Sequence, residues 1–190
     1  MLPHGDLLSI AKSYASRIAA KTAAAAARRQ RALRYGLARV TTLFSRSFHV
    51  GWGDLDSNAH MSNTAYLDVA ADTRLMFFRE QGFSLADFAR LRIGPVMARD
   101  EVEYFKELHL LDTFRVTLEA AGLSPDGARF RIRNDFRRED DTLIARVTSS
   151  GGWLDLARRR LVPPPPELAA ALARIERSPD FEPLPPLETR

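Results

Sequence analysis

One change of hydrophobic period governs what this chain can fold into. Between Tyr66 and Phe77 the apolar residues Tyr66, Val69, Ala70 and Phe77 recur with Thr73 at helical spacing, and Gly82 follows as a C-terminal stop. Beyond Gly94 the period becomes two. Phe114, Val116, Leu118 and Ala120 share one face of a strand over 113–121. Ala128, Phe130, Ile132, Asn134 and Phe136 then alternate with Arg129, Arg131, Arg133, Asp135 and Arg137. One long helix and a set of short-turned strands follow, and neither can bury its apolar face alone.

Around that switch the other elements fall into place. Leu43, Phe44, Phe48 and Val50 mark a strand over 41–50, ended by a loop rich in Gly, Asp, Ser and Asn. Ser62 or Asn63 can cap the long helix, expected over 64–81, and Ser84 can cap a short second helix over 84–89. Strands are expected over 94–107, 113–121, 128–137 and 142–154, with a turn at Ser124-Pro125-Asp126-Gly127. The order is strand, helix, then four strands, an α+β chain whose antiparallel sheet of about five strands wraps the long central helix. Pro163 to Pro166 end the sheet, a short amphipathic helix is expected over 167–177, and the tail from Ser178 is expected to be loose. Long sheet edges favour pairing with a second copy, as a homodimer or homotetramer.

Charge divides the chain. Residues 1–40 carry eight Lys/Arg against one acid, and the other 150 residues carry 20 against 23. The net charge of +4 therefore comes from the first segment, and the body lacks the basic face that nucleic-acid binding needs. The alanine-rich, arginine-rich stretch over 1–40 reads as a helical extension able to contact an anionic membrane surface. It also resembles a transit peptide in being arginine-rich and acid-poor, the alternative to a cytoplasmic location. The chain is thus expected as three parts: extension 1–40, body 41–165, and C-terminal helix and tail 166–190. With no cysteine, thiolate nucleophiles and thiolate zinc sites are excluded.

The stretch between the first strand and the long helix carries the chemistry. Asp56, Asn58 and His60 are spaced by two and end where a helix N-terminus offers free N–H groups. A carboxylate, an amide and an imidazole can activate and orient water, and the helix dipole can stabilise an oxyanion. Asp54, Asp56 and His60 lack an established ligand spacing, so no metal site is expected there. Asp56 and Asn58 also suit a turn, and His49 reads as a core histidine. Trp52 and Trp153 read as packing residues, and so does Tyr66, which can alternatively touch substrate. Arg129, Arg131 and Arg133 read as a solvated outer face.

The run Asp56, Asn58, His60, Asn63 and Tyr66 resembles the Asp-x-Asn-x-His-x-x-Asn-x-x-Tyr pattern of the hotdog-fold acyl-CoA and acyl-carrier-protein thioesterases, the 4-hydroxybenzoyl-CoA thioesterase-like enzymes among them. Glu103-Tyr104-Phe105-Lys106-Glu107 resembles a Glu-Tyr-x-x-Glu segment of the carrier-protein branch, and Gly152-Trp153 continues the likeness over about 41–165. The resemblance implies a hotdog fold and hydrolysis of acyl-CoA or acyl-carrier-protein thioesters, with coenzyme A part of the substrate and no separate cofactor. It implies catalytic roles for Asp56, Asn58, His60 and Glu107, and substrate contacts at Asn63, Thr64 and Tyr66. The carrier-protein branch usually has a cysteine after the glutamate, where this chain has Leu108, and carries two repeats where one fits here. That favours the small single-hotdog acyl-CoA hydrolases. Met76, Phe77 and Phe83 are candidates for the acyl pocket.

Overall fold

The computed structural model describes residues 43–187, so the helix expected over 1–40 lies outside the described residues. Strand β1 is Ser45–His49, helix α1 Asn63–Glu80 and helix α2 Leu85–Leu91. Strands β2 Ile93–Tyr104, β3 Thr113–Thr117, β4 Glu119–Leu123, β5 Arg129–Arg137, β6 Leu143–Asp155 and β7 Arg160–Leu161 follow, and helix α3 Pro166–Leu172 closes the order. Neighbouring strands run β1-β3-β5-β6-β2, all antiparallel, with β4 also on β5 and β7 on β6. The long helix packs on this sheet, the arrangement the change of period demands. Among the described residues no helix is long and apolar enough to cross a membrane.

Local chemistry sets the boundaries. Ser84 accepts from the Asp87 N–H while Asp87 accepts from the Ser84 N–H, a capping box that starts α2. Gly82 takes φ of 83°, a conformation that glycine tolerates and other residues resist, and so turns the chain out of α1. Pro166 stands in the first turn of α3, where a missing N–H costs nothing.

Among the described residues seven strands stand where about five were expected. The strand over 113–121 divides at Leu118, whose N–H donates to the Phe44 carbonyl (3.0 Å), and the pairing of β4 then slips between Ala120 and Gly122. A two-residue β7 adds to β6. The strand over 94–107 stops at Tyr104, because the Phe105 and Lys106 N–H groups both turn to the Ile144 carbonyl (2.8 and 3.0 Å). Glu107 therefore stands in the following loop and not in the strand.

Over the described residues 178–187 the tail is not loose. The Ser178, Glu182 and Leu184 N–H groups donate to Ala120, Ala121 and Leu123 of β4 at 2.9–3.0 Å. Arg133 holds Asp180 by two bonds (2.6 and 2.8 Å), and Arg131 reaches Glu182 at 3.3 Å. The arginine face expected to be bare is thus partly covered by tail acids, a long-range pairing that no local pattern encodes. His49 and Trp52 also depart from expectation. His49 ends β1 facing solvent, and Trp52 is 81% exposed.

Two apolar clusters fill the interior. Ala65, Tyr66 and Ala70 of α1 meet Val50, Leu108, Phe114, Phe136, Ile144 and Val147. Phe77 and Phe78 join Phe83, Phe88, Phe130, Trp153, Leu168 and Ile175. Beside the second lies an apolar cavity of about 140 Å³ lined by Phe78, Phe88, Leu118, Phe130, Ile132 and Trp153. Phe77 and Phe83 are buried in that cluster but do not line the cavity, and Met76 faces outward. The phase of α1 presents Phe78 instead.

Candidate active site

The loop from Val50 to Ser62 is held by its own polar groups. Gly51 N–H donates to Asp54 Oδ2 (2.7 Å), Ser62 N–H to the Asp54 carbonyl (2.7 Å), and Met61 N–H to the Leu108 carbonyl (2.8 Å). At its tip Asp56 organises a tight turn. Its N–H donates to the His60 carbonyl (2.8 Å), and its Oδ1 accepts from the N–H groups of Asn58 (2.8 Å) and His60 (3.2 Å). Ala59 within the turn has φ of 60°, a left-handed conformation that a non-glycine residue adopts only when its surroundings enforce it. The turn aims Asp56, Asn58 and Ser57 at solvent.

Helix α1 begins three residues past His60. Ser62 is its cap in extended conformation, without a side-chain cap bond. Asn63 Oδ1 instead accepts from the Thr64 N–H (2.9 Å), so an acceptor oxygen already sits on a first-turn donor. Asn63 and Thr64 are exposed, and Ser62 Oγ lies 3.3 Å from Thr64 Oγ1.

The segment after β2 meets the loop from the other side. Leu108 is fully buried, so its neighbours Glu107 and His109 face outward. His60 and His109 pair as an isolated bridge, their rings 4.8 Å apart and edge to face. His60 Nε2 lies 3.4 Å from Glu107 Oε2. Behind them, Asp112 Oδ2 accepts from the His109 N–H (3.1 Å) and lies 3.8 Å from His109 Nδ1. Arg138 donates to the Glu107 carbonyl (2.7 Å) and lies 3.6 Å from the Asp112 carboxylate. One loop, one helix start and one strand exit thus converge on a polar surface.

Tyr66 lies beneath that surface. It is buried, edge to face with Tyr104 (5.3 Å) and Phe136 (5.2 Å). Burial, then Tyr104 and the Glu107 charge, push its phenol up to about 12, against the pull of Arg138. Of the residues expected at the site, His60 and Glu107 meet directly, and Asp56 binds the backbone of Asn58 and His60. Asn63 and Thr64 hold the helix start, and Tyr66 stands below. His109, Asp112 and Arg138 were not expected. The signal for His109 is its place two residues after Glu107 across a buried leucine; Asp112 and Arg138 carry no comparable mark.

The thioesterase-like superfamily matches this sequence over residues 50–172. No curated protein sequence matches it. Many solved structures are similar, three of them as follows. A hypothetical protein from Staphylococcus aureus, solved in complex with CoA, is 24% identical with a TM-score of 0.67, covering 74% of this chain and 90% of that one. A 1,4-dihydroxy-2-naphthoyl-CoA thioesterase from Synechocystis is 17% identical with a TM-score of 0.62, covering 68% and 95%. A DHNA-CoA thioesterase from Staphylococcus aureus is 15% identical with a TM-score of 0.62, covering 68% and 88%. These likenesses concern the fold. The family match runs from the residue after β1 to the end of α3 and takes in the whole polar loop and helix α1, and by it this chain, a hotdog, belongs to the thioesterase-like superfamily.

Proposed function

We propose that the chain hydrolyses acyl-CoA thioesters, with Asp56 as the base that activates water. The observation that carries this reading is the state of Asp56. One carboxylate oxygen is fixed by two backbone N–H groups, which leaves Oδ2 for a water. The carboxylate is exposed in the loop that leads into an 18-residue helix. Its positive end and first-turn N–H groups suit a developing oxyanion. The CoA carrier is supported by relatives in fold that are CoA thioesterases or were solved with CoA.

In the reaction, water oxygen attacks the thioester carbonyl carbon as Oδ2 takes its proton. The carbonyl oxygen becomes an oxyanion facing the start of α1, where Asn63 and Thr64 contact substrate and Asn63 Oδ1 gives up the Thr64 N–H to it. The tetrahedral centre then collapses, the C–S bond breaks, and the proton passes from Asp56 to the leaving thiolate. Asn58 orients water, and the His60–Glu107 pair stabilises charge at the rim. Tyr66 acts through Tyr104, the half-exposed ring it supports. The free edge of β2, with Met97, Tyr104 and Phe105 exposed on or beside it, suits pairing with a second copy.

A second reading has one observation in its favour. Asp56 Oδ1 caps its own turn, which a non-catalytic acyl-thioester-binding or dimerising module would also require. The two separate on thiol release from short, long and aromatic acyl-CoAs, with wild type and Asp56→Asn side by side. Hydrolysis that collapses in the variant supports the enzyme. No release from CoA or carrier-protein thioesters by folded wild type, with acyl-CoA still bound, supports the module.

A further inference from the structure

His60, Glu107 and His109 form a cluster that hydrolysis by Asp56 does not require as a unit. Each offers one ligand atom, and these atoms all lie within 4.8 Å of one another. Zinc takes nitrogen and oxygen ligands at about 2.0–2.2 Å, so two ligands of a tetrahedral ion stand about 3.4 Å apart. His60 Nε2 and Glu107 Oε2 stand at 3.4 Å.

The backbone beneath is already fixed. The His60–His109 bridge, the Met61-to-Leu108 bond and the Arg138 bond to the Glu107 carbonyl hold both ligand-bearing segments. Asp112 Oδ2 accepts from the His109 backbone N–H (3.1 Å) and lies 3.8 Å from Nδ1, so its carboxylate fixes the backbone beneath this ligand. Two imidazoles and one carboxylate are a donor set suited to zinc-type ions, not to calcium or magnesium. Glu107 is 66% exposed at its side chain, which leaves room for a water or ligand oxygen as the fourth donor.

We infer that His60, Glu107 and His109 are a binding site for one divalent transition-metal ion of the zinc type, at the rim of the candidate active site. An ion held there would occupy the His60 and Glu107 atoms that the proposed hydrolysis uses at the rim. Binding itself does not depend on the chain being a hydrolase.

The test uses untagged full chain freed of metal, titrated with Co²⁺ and read by visible absorption, with Zn²⁺ added to displace it. Wild type is expected to bind one Co²⁺ per chain with the absorption of a low-coordinate site. His109→Ala is expected to weaken binding at least ten-fold, and Glu107→Gln to do likewise. His49→Ala, a change at an exposed histidine on another element, is expected to bind as wild type does. Circular dichroism checks that each variant is folded, and a Zn²⁺-dependent rise in Tm present in wild type and absent in His109→Ala reads the same site by another route. Absence of Co²⁺ absorption in wild type would overturn the inference, and so would equal binding by wild type and His109→Ala. Neither result would touch the hydrolysis proposed for Asp56, which is assayed with chelator present.

Discussion

The two ends of helix α1 are built by different means. At its start, the groups that can do chemistry hang on a loop tied by backbone hydrogen bonds, and Asp56, Asn58, Asn63 and Thr64 all face solvent. At its end, Phe77 and Phe78 enter an aromatic cluster. Phe78 meets Trp153 edge to face (5.8 Å), and Phe88 stacks on the same indole (6.0 Å). Hydrogen bonds place polar atoms without surrounding them, whereas aromatic packing surrounds without offering a reactive group. One helix therefore supports exposed chemistry at one end and carries stability at the other.

The largest effect expected is at the loop end. Asp56→Asn keeps an oxygen able to accept from Asn58 and His60, so the turn survives while the base is lost. Loss of a general base costs about 10²–10⁴-fold in rate, or about 2.7–5.4 kcal/mol of barrier. The expected outcome is kcat/KM lower by that factor with Tm within a few degrees of wild type, measured by thiol release and by thermal unfolding. A large fall in Tm would show the carboxylate to be chiefly a turn former and would erase the division between the ends.

At the packed end the order reverses. Trp153 is 1% exposed and touches Phe78, Phe88 and Phe130. Trp153→Ala deletes a large buried ring beside an existing cavity and is expected to cost about 3–5 kcal/mol of stability. Urea unfolding measures it. If instead kcat/KM of the folded protein fell more than stability did, the cavity would belong to the chemistry, and the comparison would need redrawing.

Much of this architecture was legible in the sequence, because period and punctuation are local. The helix over 64–81 stands at Asn63–Glu80, and the alternation of Phe130, Ile132 and Phe136 with arginines stands in β5. What was not legible is long-range. The split at Leu118 depends on Phe44, and the pinned tail depends on Arg133 meeting Asp180. At the site, the Asp56 turn is encoded by neighbours, so the loop could be located. The approach of His109 to His60 joins positions far apart in the chain, and the backbone bridge between them has no signature in either segment.

Tyr66 lies at the boundary between chemistry and core. Its phenol is held neutral up to about 12 in the folded chain, against about 10 for an exposed tyrosine. A raised folded value means that the stability it contributes is present below pH about 10. That contribution is lost as pH rises from there through the folded value. Wild type is expected to lose stability across that window, and Tyr66→Phe to lose less of it, read from urea midpoints at stepped pH. Phenolate absorbance should show more ionisation appearing with unfolding in wild type than in Tyr66→Phe. If Tyr66 titrated as an exposed residue, the floor of the site would be open to water, and the polar end would extend deeper than the packing implies.

The smallest effect belongs to the tail, which extends the packed end. Phe181 lies against the apolar cluster, and the Arg133 guanidinium, with a Ser178 hydrogen bond, holds the Asp180 carboxyl well below the usual carboxylate range. A depressed folded value means that the pair stabilises above the unfolded value of about 3.9 and that this support fades as pH falls below it. Arg133→Ala removes both bonds to Asp180 but leaves the backbone bonds from Ser178, Glu182 and Leu184 to β4. Asp180 is 62% exposed, and an ion pair open to water on one side is worth little, so the urea midpoint should fall only slightly at neutral pH, and wild type should converge on the variant in acid. Limited proteolysis within 178–187 should be faster in the variant, with thiol release unchanged. Altered thiol release would mean that the sheet's arginine face communicates with the loop through β5, and the two ends of the helix would no longer be separable.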